Sequence, residues 1–271
     1  MKKQLFDKYE LRDLGPLNHY LGMKITRDRE NKTMYISQET YIHKILAQYN
    51  MTDCKEASSP MQPNGVHLQP YTGPIDENLH LEYQSIIGAL GYAANTTRAD
   101  IAFPTHKLCQ FSNNPSQQHM DHGRYVLCYL KTYPDLAICF KAPQTDHPID
   151  VFQDGQFGPP GLDFIGYSDA AFADNADNRA SSHAYVFKAA GGIVTYKSGK
   201  QTLTATSSTE AEYIAMTYAA KEAAWIQQLL TELKYFGPDI HPILIHGDNK
   251  PAISLTQPIQ FHARTKHIKV Y

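Results

Sequence analysis

The chain has 271 residues, which favours two lobes, and its content of 42% hydrophobic and 19% charged residues is typical of a soluble globular protein. A formal net charge of −2 argues against tight nucleic-acid binding through positive charge alone, although it leaves room for a local basic strip. The four scattered cysteines form no C-x-x-C pair, and the chain has neither a membrane-length apolar run nor a signal-peptide core, so we expect an intracellular, reducing compartment.

The first half of the chain is predicted to be mixed α/β and largely helical after residue 80. Apolar and polar residues alternate around the turn-like "DRENK", which predicts a β-hairpin from residues 19–27 and 33–38. Helical spacing predicts a helix at 39–49, and the abundance of Pro, Gly, Ser and Asn predicts a long loop at 52–79. Three helices and a short strand complete this half, near 80–95, 99–112, 116–132 and 136–140.

A linker between two domains is predicted next, because residues 142–161 hold four prolines and three glycines. Beyond it, a strand at 163–170 precedes a predicted meander with turns at Gly191-Gly192 and Gly199-Lys200. A long helix, a strand and a short helix that begins near Pro251 come next. This order predicts a mixed sheet with helices on its faces. The predicted spans are 163–170, 183–188, 191–198, 200–207, 209–234 and 241–249.

Two glutamates lie at the start of the long helix in "SSTEAEY". Thr209 with Glu212, or Ser207 with Glu210 one step earlier, has the spacing of a capping box. Helical steps from Glu212 follow an unbroken apolar stripe, whereas steps from Glu210 follow a mixed face. Glu212 is therefore the functional candidate, and Glu210 is expected to cap or to be solvated. A second face, with Ile214, Tyr218, Trp225 and Leu229, is also interpreted as core.

Two aspartates occupy matching places at the ends of predicted strands, Asp169 in "GYSDA" and Asp248 in "IHGDN". Each has a plain structural alternative, a turn residue for Asp169 and a helix N-cap for Asp248. Ligands collect at the carboxyl ends of strands in open α/β sheets, so these two and Glu212 are expected to converge. Crowded carboxylates repel unless a cation neutralises them, and hard oxygen ligands suit Mg²⁺ or Mn²⁺. The residues alone predict a metal-dependent nuclease or phosphotransfer site.

The same residues resemble a known family. "GYSDAAFADNADNRASSHAYVF", "TATSSTEAEYIAMTYAAKEAAWIQQLL" and "IHGDNKPAI" are similar to the ribonuclease H domain of copia-type LTR retrotransposon Pol polyproteins. "LRDLGPLNHYLGMKI", "MYISQETYIHKILAQYNMTDC" and "EYQSIIGALGYAANTTRADIAF" resemble the end of the reverse transcriptase and the connection segment of the same polyprotein. The resemblance covers nearly the whole chain in the expected order.

The resemblance implies a palm, thumb and connection remnant at 1–141, a linker at 142–161 and a ribonuclease H-like α/β domain at 162–271. It implies hydrolysis of the RNA strand of an RNA–DNA hybrid with two Mg²⁺ or Mn²⁺ ions held by Asp169, Glu212 and Asp248. The basic run "FHARTKHIK" is either a solvated face or a grip on phosphates. Its candidate nucleic-acid contacts are Arg264, Lys266, His267 and Lys269.

The sequence also departs from the family. It has no Asp-Asp dipeptide, so the polymerase turn is absent, and the last strand and the helix with a fourth aspartate are expected to be missing. His183 replaces a common glycine, with an expected effect on packing. Two hypotheses stay open: a metal-dependent ribonuclease H, or an inactive remnant that binds nucleic acid or another part of a Pol polyprotein. Either is expected in the cytoplasm, within a virus-like particle, or in the nucleus.

Overall fold

The computed structural model describes residues 6, 8–12, 15–141, 164–175, 179–233 and 242–256. These residues form a mixed α/β protein, as the sequence predicts, and its strands are arranged in two four-stranded sheets. The predicted linker at 142–161 lies outside the described residues. Parts of the chain on both sides of it are described.

The first sheet is antiparallel and has the spatial order β1-β2-β3-β4. The predicted hairpin is confirmed, and Asp28 closes its turn by accepting backbone N–H bonds from Glu30 and Asn31. The predicted strand 19–27 is interrupted at Leu21–Gly22, which have φ angles of 48° and 75° and begin a second, tighter hairpin. The strands are His19–Tyr20, Met23–Asp28, Thr33–Ser37 and Ala137–Lys141.

Four helices pack beside this sheet around the larger apolar core. The third of them starts after a 3-10 turn at Ala99–Ile101, and another 3-10 turn, Pro63–His67, interrupts the predicted long loop. Fully buried side chains such as Tyr83, Leu90 and Leu127 form the centre of the core. The helices are α1 (Glu39–Gln48), α2 (Glu77–Thr96), α3 (Ala102–Cys109) and α4 (Gln117–Thr132).

A buried arginine connects the end of α2 to the end of α4 by hydrogen bonds. Arg98 is fully buried, and its guanidinium donates to both carboxylate oxygens of Asp100 and to the carbonyl of Tyr133. A buried charge is costly unless it is paired, and this bidentate arrangement supplies the pairing.

The second sheet has the order β7-β6-β5-β8 and is mixed. Strands β5, β6 and β7 form an antiparallel meander, whereas β8 pairs with β5 in parallel. A parallel pair requires a crossover connection, and the long helix α5 lies within it. The elements are β5 (Ile165–Ala171), β6 (Ser182–Ala189), β7 (Gly192–Lys200), α5 (Ser208–Glu232), β8 (Leu244–His246) and α6 (Lys250–Leu255).

The meander differs from the prediction at both of its turns. The first turn lies at Ala190–Gly191, one residue early, where both residues have positive φ. The predicted turn at Gly199-Lys200 is wrong, because β7 continues through Lys200 and residues 201–207 form no strand. Gly199 is required instead by a close approach, since a Cβ there would lie 2.9 Å from the His183 ring.

The second face of α5 is core at Ile214 and Tyr218 but not farther along the helix. Trp225 is 56% exposed and Leu229 is 38% exposed, although Ile214 is buried. The prediction was wrong for these two residues because only the first turns of α5 are enclosed on both sides. Farther along, the stripe with Ala219, Ala223 and Ile226 packs on the sheet, and Trp225 and Leu229 lie outside it.

The two halves contact each other directly. The Lys141 amide at the end of β4 donates to the Ala190 carbonyl at 2.8 Å, beside the start of β7. The Tyr196 hydroxyl on β7 donates to the Ala94 carbonyl of α2 at 2.6 Å. The second sheet is therefore anchored to both the first sheet and the helical core.

Candidate metal centre

The parallel register of β5 and β8 places two aspartates at equivalent positions. Tyr167 on β5 aligns with His246 on β8, and each strand places its aspartate two residues later, Asp169 and Asp248. The rings of Tyr167 and His246 stack, with centroids 5.3 Å apart. Because carboxyl ends of adjacent parallel strands meet at one edge of a sheet, the two acids are brought together there.

The third carboxylate comes from α5. Glu212 begins the buried stripe that continues with Ala215, Ala219 and Ala223 and packs on the sheet. Ser207 is the N-cap of the helix, so Glu212 lies in its second turn and is held by the packing of that stripe. The structure thus confirms the predicted helix face of Glu212.

The three side chains meet. One oxygen of each carboxylate, from Asp169, Glu212 and Asp248, lies within 4.8 Å of the corresponding oxygens of the others. Glu212 is buried, whereas both aspartates are exposed. The cluster therefore has a buried floor and an open side facing solvent, which is the arrangement an ion and an incoming substrate both require.

The electrostatics of Glu212 show what this cluster lacks. Burial, together with the charges of Asp169 and Asp248, raises the pKa of Glu212 to about 7, against a small opposing effect of the Ala170 amide. Its Oε2 atom is buried without a hydrogen-bond partner among the described residues. A divalent cation would remove both penalties at once, so the donor set fits Mg²⁺ or Mn²⁺.

Glu210 has a structural task. The Ser207 hydroxyl accepts the Glu210 amide, and the Glu210 carboxylate accepts the backbone N–H and the hydroxyl of Thr206, both at 2.6 Å. Of the two capping arrangements in the sequence, Ser207 with Glu210 forms in part, because Ser207 caps the Glu210 amide whereas the Glu210 carboxylate accepts from Thr206 rather than from the Ser207 amide. The alternative with Thr209 and Glu212 is wrong, which leaves the Glu212 carboxylate for the cluster.

A cavity of about 370 Å³ adjoins Asp169, between the second sheet and the start of α3. His183 lines it, is almost fully buried, and stacks on Tyr218 of α5 with ring centroids 3.8 Å apart. Burial, with the nearby Lys197 and His106, lowers the pKa of His183 to about 4. The ring is therefore neutral at physiological pH and fills space, in line with its predicted effect on packing.

The basic run cannot be placed. Arg264, Lys266, His267 and Lys269 lie outside the described residues, so their predicted contacts with nucleic acid remain a prediction. Among the helices of the described ranges, none combines the length and the apolar content that crossing a membrane requires.

Comparison with known proteins gives consistent matches over this chain. A family model described as reverse transcriptase (RNA-dependent DNA polymerase) matches residues 1–63. The retrovirus-related Pol polyprotein from transposon TNT 1-94 of Nicotiana tabacum is 34% identical over 100% of this chain and 19% of its own length. Those from transposons RE1 and RE2 of Arabidopsis thaliana are 32% and 31% identical over 98% and 97% of this chain, and 17% of their own lengths. The chain thus spans less than a fifth of these relatives, and no solved structure matches it.

Proposed function

Because this chain belongs to the family of copia-type transposon Pol polyproteins, we propose that residues 162–271 are a ribonuclease H-like domain that cuts the RNA strand of RNA–DNA hybrids. The observation that carries the proposal is the convergence of Asp169, Glu212 and Asp248 around a buried, unpartnered carboxylate oxygen. The mixed sheet, with a parallel β5–β8 pair and α5 on one face, supports the same assignment.

The three carboxylates would hold two Mg²⁺ or Mn²⁺ ions. When bound, such ions activate water and stabilise the leaving oxygen of an in-line phosphoryl displacement. Glu212 contributes the rigid, buried side of the centre, because α5 fixes its backbone and burial restricts its side chain. Asp169 and Asp248 form the exposed side, where a scissile phosphate could approach.

The rest of the chain is assigned by the same proposal. Residues 1–141 would be the palm end, thumb and connection of a reverse transcriptase, residues 142–161 would be a linker, and a longer Pol polyprotein would be the partner. The basic residues Arg264, Lys266, His267 and Lys269 would contact hybrid phosphates. The protein would work inside the cell, in the cytoplasm or the nucleus.

The test is cleavage of an end-labelled RNA–DNA hybrid by the full chain with Mg²⁺ or Mn²⁺. We expect Asp169→Asn to reduce the rate by more than the roughly 10–100-fold that loss of an outer-shell partner of a metal costs. Asp53→Asn, which changes an exposed aspartate far from the centre in the sequence, is the matched control and should cut normally. Cleavage that survives in Asp169→Asn would contradict the assigned site. A folded wild-type chain that binds metal but cuts nothing would instead favour the inactive binding module.

A further inference from the structure

A second pocket, of about 300 Å³ and with a more polar lining than the cavity beside Asp169, lies at the junction of the two halves. The N-terminal half contributes Lys107 and Gln110 from the end of α3, and the C-terminal half contributes Asn175 and Lys200. Leu68 and Phe111 form its apolar wall. No sequence motif pointed to this pocket, because its residues lie in four separate segments of the chain.

Lys107 is unusual among the residues of this pocket. Only 2% of its surface is exposed, and its ammonium donates one long bond, of 3.4 Å, to the backbone carbonyl of Asp174. No carboxylate of the described ranges lies within 4.0 Å of it. Lysine is almost never fully buried without a partner, and an apolar side chain would fill the same space at lower cost. The ammonium is therefore short of a negative charge on the side where it lines the pocket.

The charges around His106 are mostly positive, with Asp174 as the acidic group among them. Burial lowers the pKa of the neighbouring His106, Asp174 opposes this effect, and Lys107, Lys197 and Lys200 lower it further. Three lysines and one aspartate therefore act on His106, in a chain whose overall net charge is −2. This is the local basic strip that the composition left open.

Hydrogen bonds also fix the pocket in shape. The Asn175 side-chain amide donates to Gln110 Oε1 at 3.0 Å, which ties the loop after β5 to the end of α3. Gln110 accepts this bond through its oxygen and keeps its own amide N–H groups as donors. Two ammonium groups and amide donors around one small volume are the groups that bind a tetrahedral oxyanion.

The sheet register gives the distance to the metal centre. Lys200 pairs with Ser182, which pairs with Ala171, two residues beyond Asp169 on β5. Lys200 therefore lies two strands across the sheet and two residues along β5 from Asp169, which puts their backbones about 12 Å apart. That separation is of the order of a few nucleotides along one strand of a nucleic acid.

We propose that the pocket of Lys107, Gln110, Asn175 and Lys200 binds one phosphate group, carried by a nucleic-acid backbone or free in solution. The backbone source rests on the proposed function, since a hybrid at the metal centre would extend past this junction. The phosphate chemistry itself does not rest on it. A bound phosphate would connect the two halves, because each half supplies one of the two lysines.

The experiment uses the full chain in a chelator, so that no cleavage occurs. Binding of a labelled RNA–DNA hybrid is measured by fluorescence anisotropy between about 50 and 200 mM salt, for the wild type, Lys107→Met and Lys200→Met. Lys44→Met, on an exposed position of α1, is the matched control. In parallel, the melting temperature of each protein is measured with and without inorganic phosphate.

For a backbone phosphate, we expect both pocket variants to bind the hybrid about tenfold more weakly and to lose about one unit of salt slope, with Lys44→Met unchanged. For free phosphate, we expect phosphate to raise the melting temperature of the wild type and of Lys44→Met, but not of the pocket variants. Either pattern supports the pocket and identifies its ligand source. If neither measurement separates the pocket variants from Lys44→Met, the proposal is wrong.

Two features keep the result interpretable. Without ligand, Lys107→Met should melt at the same temperature as the wild type or higher, because it removes an unpaired buried charge. If it fails to fold, Lys200→Met still tests the pocket from its partly exposed side. Loss of hybrid binding in these variants, together with no cleavage by the wild type, would contradict the nuclease and leave the pocket intact.

Discussion

Replacing Glu212 by glutamine separates the electrostatic cost of the candidate metal centre from its function. In the metal-free protein, the pKa of Glu212 is raised from 4.5 to about 7, first by burial and then by Asp169 and Asp248. The folded state therefore binds a proton more tightly than the unfolded chain does. By linkage, stability must fall as the pH rises from about 4.5 through 7. Glutamine has nearly the same shape but no charge, so it removes this dependence.

The magnitude follows from the two pKa values. The difference between 4.5 and about 7 corresponds to roughly 3 kcal/mol. At pH 8 without metal, Glu212→Gln should raise the free energy of unfolding by up to about 3 kcal/mol. Near pH 4.5 most of this gain disappears, because the wild-type carboxyl is then protonated in the folded state.

The assay is urea unfolding at pH 4.5 and pH 8 in a chelator, followed by titration of Mg²⁺ or Mn²⁺ at pH 8. Metal should stabilise the wild type in proportion to RT ln(1 + [metal]/Kd), and the glutamine variant much less. Glu210→Gln is the control, because its carboxylate accepts two bonds from Thr206. Replacing this carboxylate should lower the free energy of unfolding by about 1–2 kcal/mol and leave the response to metal unchanged. An equal effect of Glu212→Gln at both pH values, or a loss of stability at pH 8, would refute the reasoning.

Three further substitutions test the fold. Trp225→Gln should change the free energy of unfolding by less than about 0.5 kcal/mol in urea, because the side chain is 56% exposed; a loss of about 3–5 kcal/mol would show that it is core after all. Gly199→Ala should destabilise by about 1–3 kcal/mol, since its Cβ would press on His183 at 2.9 Å, and adding His183→Ala should restore part of the loss in a double-mutant cycle. Asp100→Ala should cost about 3–5 kcal/mol, measured by urea unfolding, because it leaves the buried Arg98 unpaired; Asp100→Asn, which keeps one acceptor oxygen, should cost less.

The positions of the three acids could be predicted because local rules determine each of them. A helical stripe distinguishes Glu212 from Glu210, and the ends of two apolar strands identify Asp169 and Asp248. These rules need only the periods of helices and strands and the tendency of parallel strands to end at one edge. The parallel pairing of β5 with β8 then brings the two aspartates together, and the packing of α5 on the sheet adds Glu212.

What could not be predicted depends on contacts between distant segments. Gly199 was interpreted as a turn residue, but its neighbour across the sheet is His183, which no local pattern reveals. Trp225 was placed in the core because of its spacing from Ile214, although the structure encloses only the first turns of that helix face. Periodicity shows which residues share a face, and tertiary packing alone decides how far along the helix that face is covered.

The carboxylate cluster and the pocket around Lys107 show the same difference between local sequence signals and contacts of distant segments. The candidate metal centre has a sequence signal at each of its residues. The pocket around Lys107 has none, because a lysine in an amphipathic helix is usually solvated. Only burial of 98% of that side chain, with a single long bond to the Asp174 carbonyl, makes its ammonium informative. A charge kept where an apolar side chain would be more stable is the reason for proposing a ligand at Lys107, and the same argument supports the proposed metal at the unpartnered oxygen of Glu212. In the two proposals Lys107 would receive an anion and Glu212 a cation, and a phosphodiester with its metal ions would supply both.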